Sequence, residues 1–130
     1  MAKTTNTDSR RIVEECVEFA RRNGGRACQV DRLDRLDRRA SLRMLFAHHL
    51  CYCPNSTLSE DHTKPARMLD ISLGGIGLWC REALTEGMVI HVRLPVLYGQ
   101  TAWVRGRVIH CSPDDAQHYR VGIAVILDRD

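Results

Sequence analysis

A mainly β fold, an antiparallel barrel preceded by an amphipathic helix, is what this sequence predicts, and three observations carry the prediction. Apolar residues alternate with period two from just after Arg43, and the alternation returns in short segments almost to the end of the chain. Clusters of Gly, Pro and polar residues separate those segments at hairpin spacing. Before Asn23 the apolar residues recur instead with a helical period. A chain of 130 residues holds one domain with a real core. Several short antiparallel strands in so small a chain fit a closed or nearly closed barrel, because closure removes exposed edges.

The helix is expected over residues 9–23. Ile12, Cys16 and Phe19 line one stripe, Val13, Val17 and Ala20 widen it, and Arg and Glu take the rest. Asp8 or Ser9 can cap its start, and Asn23-Gly24-Gly25 stops it. So short a helix is marginal alone, so its stripe must dock, most simply on the barrel of the same chain rather than on a second protomer or another protein. Residues 31–38 then repeat with period three, alternating Asp and Arg and placing Val30, Leu33 and Leu36 on a drifting face. They read as a short helix or as a solvated charged linker.

The first strand is expected over 44–52, ending at Pro54, with a polar loop over 55–65. A second strand covers 67–72, Gly74-Gly75 makes a tight bend, and 76–81 continues on the far side. Further strands follow at 89–94, 102–111 and 120–127, with 95–100 and 112–118 as connections. Trp103 reads as a core residue in preference to a binding-site wall.

Composition narrows the function. The net charge of +3 is mild and the acids are mixed among the arginines, which weighs against nucleic acid, as does the shortage of aromatic stacking platforms. No apolar run reaches the length of a membrane span or follows the N-terminus as a secretion signal would, so the expectation is a soluble cytoplasmic protein. The six cysteines are then expected to stay reduced. Cys51 and Cys53, with His48, His49 and His62 nearby, could be offered to zinc, but paired-knuckle spacing is missing and no metal is expected. No nucleophile elbow or P-loop is present and Gly75-Ile76-Gly77 lacks the third glycine of a dinucleotide fingerprint, so no enzyme is expected, and the motif glycines read as turn residues.

Two polar motifs flank the first strand. Arg39-Ala40-Ser41-Leu42-Arg43 sets two arginines four residues apart, on one face of either a helix or a strand, and Asp70-Ile71-Ser72-Leu73-Gly74-Gly75 follows. Guanidinium forks suit a phosphate or a guanine edge, and a carboxylate with a hydroxyl can complete recognition of a base. Together they suggest a small anionic nucleotide containing guanine. Without a ligand, the same residues serve as a solvated pair bonded to Asp34, Asp37 or Asp70, and as an Asx or Ser turn.

With these motifs the sequence resembles the PilZ domain family, whose pattern is RxxxR followed, after a strand, by (D/N)xSxxG. The likeness extends through Gly87 to Leu94, Gly106 to Ile109 and Tyr119 to Val125. It implies a six-stranded antiparallel β-barrel at 38–130, after an N-terminal helical extension and charged linker at 1–37. It also implies a non-catalytic bacterial receptor for the second messenger cyclic di-GMP, without other cofactor. By that resemblance Arg39 and Arg43 hold phosphate and guanine, Asp70 and Ser72 face the base, and Gly74 and Gly75 shape the bend beside it. In the family an arginine directly before RxxxR accompanies binding of the messenger as an intercalated pair, so Arg38 implies two molecules per protomer. Arg120 and Gly122 are further candidates. The output would pass to an unidentified effector protein governing motility, surface polysaccharide or biofilm. The alternatives are a ligand-independent adaptor of the same fold and a small basic barrel that binds nucleic acid.

Overall fold

The computed structural model describes residues 7–29, 42–55 and 57–127. The period-three segment, Arg38 and Arg39 lie outside the described residues. Helix α1 (Thr7–Arg22) leads to β1 (Arg26–Gln29), then β2 (Leu42–Cys53), β3 (Lys64–Ile71), β4 (Gly75–Cys80), β5 (Val89–Pro95), β6 (Thr101–Asp115) and β7 (His118–Val125). The hydrogen-bonded order is β1-β2-β3-β4-β7-β6-β5, and β2 pairs again with β5. Strands β2 to β7 thus close a six-stranded antiparallel barrel, as the sequence predicts. Closure needs a long β2: its residues 42–45 pair with β1, and Cys51, Tyr52 and Cys53 pair with Arg93, Val92 and His91.

The alternation works as expected. Ile76, Leu78 and Cys80 of β4 point inward and are buried, while Gly75, Gly77 and Trp79 face out. With Tyr52, Met68, Ile71, Ile90, Val92, Leu94, Val108, Val121 and Ile123 they fill the interior. Helix α1 docks on this barrel. Its buried line is Val13, Cys16 and Ala20, with Ile12, Val17 and Phe19 on the margin, so Cys16 stands where the sequence suggests and its two companions each lie one residue later. Phe19 meets Phe46 and His48 edge-on at 5.8 and 5.5 Å between ring centroids. Burial pushes the Cys16 thiol up to about 12, which leaves it a neutral, apolar filler. The helix stops as predicted: Gly24 adopts φ +99°, and the N–H groups of Asn23 and Gly25 both donate to Ala20 O, at 3.1 and 2.7 Å. Asp8 lies inside the first turn, where its charge faces the positive end of the helix.

Several boundaries differ from the sequence reading, beginning with α1, which starts at Thr7 and takes Asp8 and Ser9 into the helix instead of leaving them as caps. Strand β1 lies within the span read as helical extension and linker; four residues after a Gly pair show no period, and pairing with β2 supplies the order. Strand β3 begins at Lys64, earlier than expected, and β4 ends at Cys80. Residues 112–118, read as a connection because of Ser112-Pro113-Asp114-Asp115, mostly extend the β6–β7 hairpin. Specific partners override their loop composition there: Trp79 Nε1–H donates to Asp114 at 2.9 Å, and His118 pairs with Asp115 at 3.0 Å. Trp103 is half-buried beneath the Arg93 guanidinium and takes no part in the buried core, contrary to expectation.

Candidate functional site

The register of the barrel lines up one row of outward positions: Leu45 opposite Asp70, Asp70 opposite Gly77, Gly77 opposite Gly122, and Gly122 opposite His110. Side chains from neighbouring strands stand together in such a row. Here the two central positions carry none, leaving a floor of bare backbone between Asp70 and His110. The result is a cleft of about 180 Å³, bordered by Arg43, Asp70, Ser72, His110 and Arg120. An added Cβ would lie 2.8 Å from Asp70 Oδ2 at Gly77, and 2.6 Å from His110 Nε2 at Gly122. A side chain at either position would push aside the group that leans over it. Register shifts between Leu45 and His48 in β2 and between Met68 and Asp70 in β3 fall beside the cleft, where bulges re-aim side chains.

Asp70 is the electrostatic centre. Burial pushes its carboxyl above the usual range, and the Arg43 and Arg120 guanidiniums and a backbone hydrogen bond from Gly77 pull the other way. Neither arginine neutralises it closely: Arg43 Nε stands 3.9 Å from Oδ1, and Arg120 Nε leans toward Asp114 at 3.7 Å. A carboxylate kept short of partners beside two exposed cations suits a guest that brings donors for the carboxylate and an anion for the guanidiniums.

The sequence-predicted residues divide. Arg43, Asp70, Ser72 and Gly75 line the cleft together, whereas Gly74 does not. Ser72 is already engaged, its N–H and hydroxyl both reaching Gly75 O, at 2.9 and 3.5 Å. This is the local turn that the sequence offers as an alternative. Gly75 has no positive φ, and its added Cβ would lie 2.9 Å from Ile123 O. Its bareness admits the neighbouring strand β7 rather than supplying a special bend. Gly77 lies inside β4, in the strand expected after the bend, and beneath Asp70. His110 escapes the sequence reading entirely, because a bulge between Val108 and His110 sets which side chain faces the cleft. Arg120 and Gly122, the further candidates from the sequence, both line the cleft, whereas Gly77 could have been found only through the strand pairing that sets it between Asp70 and Gly122.

The other candidate cluster disperses. Cys53 is buried with its thiol toward the carbonyls of Thr57 and Ser59, at 3.9 and 3.7 Å, while His49 is exposed. Among the described residues no group of three His, Cys, Asp or Glu side chains is placed to hold a metal, and no helix is long and apolar enough to cross a membrane.

No curated protein matches the chain. The family model described as PilZ domain matches residues 37–130, which take in the whole barrel and its cleft. The chain therefore belongs to the PilZ domain family, whose members in general bind cyclic di-GMP and act as receptors without catalysis.

Proposed function

We propose that this chain is a cyclic di-GMP receptor that seats one guanine in the Asp70 cleft and relays occupancy to a partner protein. The observation that supports this is the under-neutralised Asp70 carboxylate above a glycine floor, flanked by Arg43 and Arg120. Guanine presents N–H donors on one edge and the O6 and N7 acceptors on another, so a carboxylate and a guanidinium can hold it from two sides. The phosphates then call for further cations, which Arg38 and Arg39 of the arginine motif would supply. Nothing in this arrangement needs a reaction. An adaptor working through α1 alone is a weaker reading, because the apolar stripe of that helix is already covered by the barrel.

Calorimetric titration of the protein with cyclic di-GMP tests the proposal, alongside folded Arg39→Ala and Asp70→Ala variants. Saturable binding that both substitutions abolish supports it, and absence of binding to a folded, monodisperse sample refutes it. The saturation ratio also tests Arg38, since one ligand per protomer would remove its assigned role in holding a second.

A further inference from the structure

A second cleft opens on the same outer face, two residues along β4 from Gly77, about 7 Å at the rise of a strand. Its volume is about 260 Å³, and His49, Arg67, Trp79, Arg81 and His118 wall it. The pairs His49 with Arg67, Arg67 with Trp79 and Trp79 with Arg120 form the row next to the Asp70 row. Arg120, which borders the first cleft, thus stands at the boundary between the two.

Trp79 is a fixed platform. Its Nε1–H is held by Asp114, its ring stacks on His118 with 3.8 Å between centroids and 11° between planes, and the Arg67 guanidinium lies 5.3 Å from the ring centroid. Arg67 and Arg81 are exposed and make no ion pair among the described residues. A rigid indole beside two uncompensated guanidiniums matches a planar base that carries phosphate: the ring and the guanidinium planes stack on the base, and the charges take the phosphate. Ligand pockets usually span roughly 300–1,000 Å³. Both clefts fall below that range, so each suits one part of a ligand rather than the whole of a dinucleotide.

We propose that the Trp79 cleft is a second guanine subsite, in which a base stacks on Trp79 and its phosphate pairs with Arg67 and Arg81. The proposal rests on the reading that a first guanine occupies the Asp70 cleft. The second base comes either from the same dinucleotide or from a second molecule beside it, and the binding ratio distinguishes the two.

The test uses the full chain with Trp103→Phe, which leaves Trp79 as its one tryptophan. Heat and tryptophan emission are followed together during titration with cyclic di-GMP. Emission should change with the same midpoint as the heat. Trp79→Leu, and separately Arg67→Ala combined with Arg81→Ala, should each weaken binding by roughly tenfold, the usual scale of one base stacked on an aromatic ring. Trp79→Phe, which keeps a ring, should retain most of the affinity. The arginine variants, both on exposed side chains, keep the test decisive if Trp79→Leu fails to fold. Full binding heat with silent emission and unchanged affinity in the arginine variant would overturn the second subsite and leave the Asp70 reading standing. Absence of binding heat in the parent would overturn both.

Discussion

Replacing Gly77 with alanine isolates the cleft floor from the fold. The new Cβ would lie 2.8 and 2.9 Å from the two Asp70 carboxylate oxygens, about 0.6 Å inside the 3.4 Å at which ordinary contact begins. The group that must give way is the end of a side chain, so the backbone can stay in place. Pushing Asp70 off its rotamer costs roughly 0.5–1.5 kcal/mol. Removing a strand glycine restores roughly 0.5–1 kcal/mol through the unfolded chain. These nearly cancel, and the apo melting temperature should move by at most about 5 °C. Binding has no such compensation. A carboxylate displaced from a guanine edge forfeits one base contact, about 1–3 kcal/mol, or roughly 5- to 150-fold in Kd. Calorimetry with cyclic di-GMP, run beside thermal unfolding, reads both quantities. Gly74→Ala is the control, since nothing lies within 4 Å of its added Cβ and its φ is not positive. Binding by folded Gly77→Ala within twofold of the parent would refute the claim that the glycine floor positions Asp70 for a ligand.

Three further outcomes are expected. Arg43→Lys should leave stability within about 0.5 kcal/mol, because its contact to Asp70 is long and exposed, yet weaken cyclic di-GMP by roughly tenfold, since an ammonium cannot make a two-pronged contact. Denaturant melts and titration check the two halves. Burial, aided by the charge of His49, holds the His48 imidazole below its ordinary 6.5, so the unfolded chain binds that proton more readily. Stability should be full above pH 6.5 and fall as pH drops through the lower folded-state value; His48→Phe should flatten that slope in urea melts across pH 5–8. Gly106→Ala would drive a Cβ into Ile123 Cγ2 and set it 3.2 Å from Ala124 O, within the packed wall of the barrel, and should cost about 1–3 kcal/mol in denaturant unfolding through overpacking.

What the sequence makes legible follows from how each feature is encoded. The alternation of Met44, Phe46 and Tyr52 is a local record of which face meets the core, and β2 could be placed from it. The end of α1 is written in Gly24, whose left-handed backbone is a property of the residue itself. Strand β1 has no such record, since four residues hold order only through their pairing with β2. The hairpin extension at 112–118 is hidden in the same way, because Asp114 and His118 are ordered by Trp79, which lies far away in sequence. At the cleft, Arg43, Asp70 and Ser72 stand in contiguous motifs and could be named from the chain. Gly77, Gly122 and His110 come from three strands, and only the closed register brings them together. The motif glycines carried a misleading signal: Gly75 is bare for Ile123, whereas Gly77, two residues beyond the motif, is bare for Asp70.

The same register suggests how occupancy could leave the site. Strand β2 carries Arg43 at its mouth and, three and five residues on, Phe46 and His48, the two rings against which Phe19 of α1 packs. At the rise of a strand that is about 10–17 Å, with a register shift between Leu45 and His48 in the interval. A ligand that draws Arg43 inward pulls on the segment where β2 is already irregular, and the first packed element beyond that irregularity is the helix. The work available is bounded by the difference in ligand affinity between the two arrangements. Phe19 is half-buried, so its contacts are worth less than those of a fully buried ring and fall within reach of a bound ligand's differential energy. If that route operates, Phe19→Ala should loosen α1, measured as faster amide exchange along the helix, while the heat of binding at the Asp70 cleft stays unchanged. An intact helix in that variant would place the output elsewhere on the barrel.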